Sequence, residues 1–146
     1  GREDAADALS AQGRRRGDRR VIVVDGDIYG AYLRKSSDGH WIQNVSFGAG
    51  CELVPVDIGD RRIGDATHGP YRDAGIHVLG YDLLWDDNGD WRISEINAGN
   101  IGGLFRIEYL GVPGVTDRFV AWLHADHNRN SSRRGRFSAP TTTLSS

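Results

Sequence analysis

Short segments rich in β-branched and aromatic residues lie on both sides of two turn sequences, and this pattern predicts two β-hairpins. The first turn is Asp25-Gly26, between residues 21–24 and 27–34. This dipeptide is typical of a two-residue type I′ turn, in which both central residues have positive φ. The sequence therefore predicts an antiparallel strand pair joined by a tight turn.

The second strand of this hairpin ends in an arginine. Alternation along the strand places four residues on one face: Ile28, Gly30, Tyr32 and Arg34. Arg34 either points into a cleft or lies along the sheet with its charged end in water. The pattern alone leaves both alternatives open.

The second turn sequence, Asn88-Gly89, predicts the same turn type. Counting outward from it places Asp82 opposite Glu95, and Asn97 lies two residues further along the same face. Directly opposed β-carbons are about 4.5–5.5 Å apart, and like charges at this separation destabilise a sheet. A positive charge is therefore expected beside the two carboxylates.

A divalent cation would supply this charge, because hard ions such as Mg²⁺ bind carboxylate and amide oxygens and complete their shell with water and substrate phosphates. Asp82, Glu95 and Asn97 offer oxygens of these kinds. Two alternatives stay open. The predicted register also places Leu84 opposite Ile93. If it slips by one residue, the two carboxylates are separate, solvated strand residues. They act without a metal if their separation, about 5–5.5 Å, serves retaining glycoside hydrolysis.

The remaining elements are less regular. Residues 40–46 predict a third strand, and residues 116–125 predict a helix capped by Thr116. The apolar residues of this helix are expected to pack on the sheet: Phe119, Val120 and Leu123. In residues 60–75, three glycines and Pro70 oppose a long helix.

Composition narrows the class of protein. The chain has 146 residues, a formal net charge of −2 and a single cysteine, Cys51. It therefore has no disulfide framework, and we expect a reducing, cytoplasmic environment. No apolar run is long enough to predict a membrane span. Residues 1–19 predict a basic, disordered leader without a nucleic-acid partner, and residues 128–146 predict a disordered tail.

The hairpin residues carry a family resemblance. The pattern Gly-x-Asp-Leu-Leu before the second turn and Trp-x-Ile-x-Glu-Ile-Asn after it resembles the metal-binding hairpin of ATP-grasp ligases. Residues 20–34 resemble the strand pair that precedes it in that family, and residues 44–50 resemble its glycine-bearing loop. The three segments occur in family order within residues 20–127.

The resemblance implies roles for individual residues. Asp82 would bind one Mg²⁺ (or Mn²⁺) ion, Glu95 would bridge two ions, and Asn97 would bind the second. Arg34 would neutralise the transferring phosphoryl group of ATP, and Asn44 would lie near the substrate.

The glycine-bearing loop is a weaker signal. Gly48 and Gly50 would allow backbone amides to approach the ATP phosphates closely. An ordinary turn at the end of a strand is the alternative. No Gly-Lys-Ser/Thr sequence follows, so this loop is not a P-loop.

Together these patterns predict an α+β fold, with an antiparallel sheet of about five strands and the C-terminal helix on one face. The resemblance implies the ATP- and Mg²⁺-binding C-terminal lobe of a carboxylate-amine ligase, which acts on a small-molecule or peptide substrate through an acyl phosphate. The preceding nucleotide lobe has no counterpart in residues 1–19. We expect it to come from a missing segment or another chain, and the isolated chain to be inactive. The alternative is a truncated or degenerate lobe that binds a partner without catalysis.

Overall fold

The computed structural model describes residues 17–34 and 50–135. The elements in chain order are β1 (Asp18–Val24), β2 (Asp27–Arg34), β3 (Cys51–Val54), α1 (Ile58–Asp73), β4 (Val78–Trp85), β5 (Trp91–Ala98), α2 (Ile101–Tyr109) and α3 (Val115–Gly135). The strands form one antiparallel sheet in the order β3-β2-β1-β4-β5. The predicted α+β class is confirmed. The strand predicted at residues 40–46 lies outside the described residues, and β3 is the fifth strand of this sheet.

The β1–β2 turn has the predicted type. Asp25 has a φ of 49° and Gly26 a φ of 87°, as a type I′ turn requires. Further along the ladder a bulge lies at Tyr29, because Val23 pairs with Ile28 whereas the preceding residue of β1 pairs with Gly30. Ile28 consequently lies on the face opposite to Gly30, and its predicted placement with Gly30, Tyr32 and Arg34 is wrong.

The β4–β5 turn differs from the predicted type. Among the described residues, Asp25 is the only non-glycine with positive φ, so Asn88 does not adopt the conformation that a type I′ turn needs. Gly89 N donates to Asp86 O at 3.2 Å, and Asp86 N donates to Asp90 O at 2.8 Å. These bonds, with a φ of 85° at Gly89, describe a three-residue loop built on a type I turn.

The longer loop shifts the pairing near the turn by one residue. Leu84 pairs with Arg92, so its predicted pairing with Ile93 is wrong. A bulge at Ser94 then moves the register back, and Asp82 pairs with Glu95 as predicted.

The hydrophobic core lies between one face of the sheet and α1. Tyr81, Leu79 and Leu83 of β4 are each at most 1% exposed on this face. Residues of β1, β2 and α1 complete the core: Val21, Val23, Ala31, Ile63 and Tyr71. This face is called the core face below.

Helix α1 occupies the stretch in which no long helix was predicted. Its first turn is held by a capping box, because Asp57 and Asp60 each accept a 2.9 Å hydrogen bond from the other's backbone N–H. Asp60 is also buried in an ion pair with Arg19 of β1. Glycines cost about 1 kcal/mol each in a helix. The cap and the packing on the core face offset this cost, and Pro70 lies only in the last turns.

Helix α2 covers part of the opposite sheet face, where glycines allow close approach. A β-carbon on Gly30 of β2 would lie 2.9 Å from Ile107 Cγ2, and one on Gly103 would collide with Ile22 of β1. Leu104 and Ile107 are buried at this contact. The two faces of the sheet therefore carry different helices, whereas a helix on one face was predicted.

The described residues from Thr116 onward belong to a second compact unit. Helix α3 begins at Val115, so Thr116 lies inside the helix and the prediction that it is the cap is wrong. Val120 is 42% exposed and Leu123 is 45% exposed, in contrast to the burial predicted for both. The helix continues to Gly135, so the disorder predicted from residue 128 is wrong up to that point. No helix in the described ranges is long and apolar enough to cross a membrane.

Candidate metal centre

Charged side chains from neighbouring strands meet on the sheet face opposite the core face. In the ladder, Arg20 of β1 pairs with Tyr32 of β2 on one side and with Asp82 of β4 on the other. Asp82 in turn pairs with Glu95 of β5. The surface called the charged face consists of Asp18, Arg20, Tyr32, Arg34, Asp82, Glu95 and Asn97.

Asp82 is the centre of this face and is only 4% exposed. Arg20 binds its carboxylate through two hydrogen bonds, from Nε to Oδ1 and from Nη2 to Oδ2, each 2.5 Å long. Arg34 Nη2 and Asn97 Nδ2 each lie 3.3 Å from Oδ2. The positive charge expected beside the carboxylate pair is therefore supplied, in this structure, by arginines.

Arg34 is shared between two carboxylates. It donates from Nε to Asp18 Oδ1 at 2.9 Å and from Nη2 to the other oxygen of Asp18, and it also contacts Asp82. Burial disfavours its charged form, but its hydrogen bonds and attraction to the two aspartates raise its pKa above the ordinary value. The interpretation of Arg34 as a side chain lying in solvent along the sheet is wrong.

A buried tyrosine lies among the arginines. Tyr32 is 3% exposed, and burial raises the pKa of its phenol, an effect that the positive charges of Arg20, Arg34 and Arg106 partly offset. Burial also disfavours the charged form of Arg20, yet its hydrogen bonds to Asp82 and Tyr32 raise the pKa of Arg20. The arginines therefore stay charged and Tyr32 stays a neutral hydroxyl at physiological pH.

The carboxylate and amide oxygens form a donor set suited to a hard cation. Asp82 Oδ2 accepts from Arg20 and Asn97 and lies in an ion pair with Arg34, whereas Oδ1 accepts only from Arg20 among the described residues and retains accepting capacity. Glu95 is exposed and Asn97 is half-buried beside it. No group of three or more His, Cys, Asp or Glu side chains in the described part of the chain is arranged to hold a metal. A cation here would need Asn97, water and phosphates to complete its shell.

The structure locates some of the predicted binding residues and not others. It brings Arg34, Asp82, Glu95 and Asn97 together on one face. Asn44 and Gly48 lie outside the described residues. Gly50 has a φ of 72° at an exposed turn just before β3, a conformation that favours glycine.

Three residues of the charged face were not predicted as site residues. Tyr32 was placed on this strand face without a role, Asp18 fell within the leader predicted for residues 1–19, and Arg20 began the segment that resembles the family's strand pair. Asp18 and Arg20 lie in β1 beside Arg34 and Asp82. Their spacing of two residues, continuous with the alternation of β1, was the available signal. The bulge at Tyr29 changes the pairing of β1 with β2, because an unbulged hairpin would place Arg20 opposite Ala31 instead of Tyr32.

Comparison with known proteins places the chain in a family. Residues 11–111 match the ATP-grasp domain of prokaryotic glutathione synthetase. The chain belongs to this ATP-grasp family. Glutathione synthetase of Parasynechococcus marenigrum (strain WH8102) is 28% identical over 109 residues, which are 75% of this chain and 34% of that protein. Human beta-citrylglutamate synthase B is 29% identical over 128 residues, which are 88% of this chain and 31% of that protein.

The sequence identity to a solved structure is lower than that to these two relatives. The ATP-grasp ligase PsnB, complexed with a phosphomimetic variant of its minimal precursor, Mg and ADP, is 20% identical with a TM-score of 0.43. The match covers 64% of this chain and 29% of that chain. The chain thus spans about a third of the length of the relatives it matches.

Proposed function

We propose that the chain is the Mg²⁺- and ATP-phosphate-binding lobe of an ATP-grasp carboxylate-amine ligase. Membership of the family supports the ligase class. One observation carries the proposal to a site: Asp82 and Glu95 are ladder partners with Asn97 beside them, and Arg34 lies 3.3 Å from Asp82 on the same face. Oxygen ligands and a guanidinium are thereby gathered where a metal-bound phosphate would need both.

In this proposal Asp82, Glu95 and Asn97 would hold magnesium, and Glu95 would serve two ions. Bound magnesium would neutralise negative charge on the phosphate oxygens of ATP. The family chemistry joins a carboxylate to an amine: the carboxylate attacks the γ-phosphate of ATP, ADP leaves, and the amine displaces phosphate from the resulting acyl phosphate. The contribution of this lobe is positioning and charge neutralisation.

The other residues act on the phosphates and on the substrate. Arg34, held by Asp18 in a forked ion pair, presents a fixed positive charge toward the transferring phosphoryl group. In this proposal Gly48 and Gly50 would allow backbone amides near the phosphates, and Asn44 would lie near the substrate. The remaining two thirds of a full-length relative would supply the adenine pocket and the acceptor site.

A second candidate function is a lobe that binds a partner without catalysis. The observation in its favour is that Arg20 and Arg34 neutralise Asp82 without any metal, so the face is electrostatically satisfied by protein groups alone. The metal-free glycoside hydrolase is disfavoured because the chain belongs to a different family.

Paramagnetic Mn²⁺ tests the proposed site in the intact chain. NMR signals of Asp82, Glu95 and Asn97 should broaden at lower Mn²⁺ concentrations than all others. Glu95→Gln should abolish this localised effect, because it removes the charge shared by both ions. Glu52→Gln is the matched control, since Glu52 is an exposed strand carboxylate whose ladder partner, Leu33, lies on the core face. Uniform broadening, or equal broadening in Glu95→Gln, would favour the non-catalytic lobe.

A further inference from the structure

Arg20 has a position that the proposed chemistry does not use. It belongs to β1, the central strand, and its ladder partner in β4 is the proposed metal ligand Asp82. Its side chain is 16% exposed and Asp82's is 6% exposed, so their contact is largely shielded from water. The family resemblance assigns Arg20 no contact with a phosphate or a metal ion.

The contact constrains the carboxylate in two ways. The forked pair fixes the plane of the Asp82 carboxylate, since Nε binds Oδ1 and Nη2 binds Oδ2, both at 2.5 Å. Tyr32 is the ladder partner of Arg20 on its other side, and its buried phenol interacts with the guanidinium. Asp82 is thus held by a side chain that also has a buried neighbour.

The second oxygen of the carboxylate is used differently from the first. Oδ2 also lies near Arg34 and Asn97, whereas Oδ1 has only the Arg20 Nε as a partner among the described residues. Arg20 therefore directs the less occupied oxygen, Oδ1, in a constant orientation. Groups that hydrogen-bond a metal-ligating carboxylate orient it, and their loss weakens metal binding by about 10–100-fold.

We propose that Arg20 is a positioning residue that orients Asp82 for cation binding and stays paired with it when the cation is bound. The proposal rests on the proposed function of Asp82 as a metal ligand. The alternative is that Arg20 only replaces the charge of an absent metal. In that case the Arg20 side chain would have to leave Asp82 before a metal ion could bind.

The decisive variant is Arg20→Lys, which keeps the positive charge but loses the planar fork. If Arg20 positions Asp82, the Mn²⁺ concentration at half-broadening of Asp82 and Glu95 should rise at least about tenfold, while a circular dichroism spectrum confirms that the fold is retained. A role limited to charge or to stability predicts an unchanged concentration. That result would overturn the proposal.

Arg92→Lys is the matched control. Arg92 lies on the same hairpin and makes a comparable pair with Asp86, from Nε to Oδ2 at 2.7 Å, but at its exposed turn end. Its replacement should leave the Mn²⁺ concentration unchanged. An equal rise in both variants would show a general effect of arginine loss and overturn the proposal.

A wild-type measurement keeps the proposal testable if Arg20→Lys does not fold. The Nε–H signal of Arg20 should exchange slowly with solvent, and saturating diamagnetic Mg²⁺ should leave that exchange slow. Acceleration by Mg²⁺ would show that the cation displaces Arg20, and would overturn the proposal. If the wild type shows no localised Mn²⁺ broadening at Asp82, the proposed metal site fails and this inference fails with it. If the wild type binds but Arg20→Lys binds equally, only this inference fails.

Discussion

The two hairpins share a similar turn sequence but differ in conformation, environment and charge. The β1–β2 hairpin has a type I′ turn and is largely buried, whereas the β4–β5 hairpin has a three-residue loop and ends in an exposed edge strand. The first contributes Arg20, Arg34 and the carboxylate of Asp18 to the charged face, and the second contributes the carboxylates of Asp82 and Glu95. The site therefore depends on the alignment of charged residues from two hairpins. Each turn affects the site only through the register of the strands that it joins.

The difference in turn type has a local cause. Asp25 faces His77, whose Nδ1 lies 3.2 Å from Asp25 Oδ1, and Asp25 N donates to His77 O at 2.8 Å. These contacts hold Asp25 in its left-handed conformation. In the second turn, Asp86 Oδ1 accepts 2.9 Å hydrogen bonds from the backbone N–H of Asn88 and of Asp90. A side chain thus organises the longer loop and overrides the Asn-Gly preference.

The largest effect should come from breaking the pairing between the hairpins. Asp82→Asn removes the negative charge between Arg20 and Arg34. The largely buried guanidinium groups of these arginines then lack the carboxylate that they contact. We expect a loss of about 3–5 kcal/mol in the free energy of unfolding, measured by urea denaturation. Asp86→Asn, within the exposed Asp86–Arg92 pair, is the control and should lose much less. Equal losses would show that the two hairpins are not coupled through Asp82.

Alanine substitutions of the turn glycines, Gly26 and Gly89, should have smaller and unequal effects on stability. Both have positive φ, so an alanine at either is strained by about 1–2 kcal/mol. A β-carbon on Gly26 would also lie 3.0 Å from the His68 ring, whereas one on Gly89 would make an ordinary 3.7 Å contact with Trp85. Gly26→Ala should therefore reduce the thermal unfolding temperature more than Gly89→Ala. The reverse order would contradict the tighter surroundings of the first turn.

The residues before these glycines test the turn types directly. Asp25 has positive φ and Asn88 does not. Asp25→Ala should lose about 1 kcal/mol or more of unfolding free energy because alanine is disfavoured in that conformation. Asn88→Ala should stay within about 0.5 kcal/mol of the wild type, as at ordinary surface positions. A loss at Asn88 comparable to that at Asp25 would indicate a type I′ turn in both hairpins.

The sequence predicts the α+β class, both hairpins and the pairing of Asp82 with Glu95, and each is confirmed. That pairing follows from two deviations that cancel. The longer turn shifts the register in one direction, and the bulge at Ser94 shifts it back. Alternation of apolar residues reports which face is buried, but a bulge depends on packing between strands and leaves little trace in a single sequence.

The same limitation explains what was missed. The bulge at Tyr29 moves Arg20 opposite Tyr32 and Asp18 opposite Arg34, whereas the pair of Arg20 with Asp82 depends on the separate register of β1 and β4. Helix α1 was missed because its glycines have low helix propensity, whereas its stability comes from the Asp57–Asp60 capping box and tertiary packing. Local propensity does not report contacts between distant segments.

The smallest effect concerns the exposed turn alone. Hydrogen bonds to Asp86, first from Arg92 and then from the backbone N–H of Asp90 and Asn88, lower the pKa of its carboxyl below the ordinary value of about 3.9. A carboxyl whose pKa is lowered by folding stabilises the protein above its unfolded-state pKa, and this contribution is lost as pH falls through the folded-state pKa. Arg92→Gln should therefore raise the Asp86 pKa toward the ordinary value and reduce stability slightly at neutral pH, with a smaller difference in acid. NMR titration of the Asp86 carboxyl in the wild type and in Arg92→Gln measures this change in pKa. An unchanged Asp86 pKa in Arg92→Gln would show that the backbone bonds alone organise the loop.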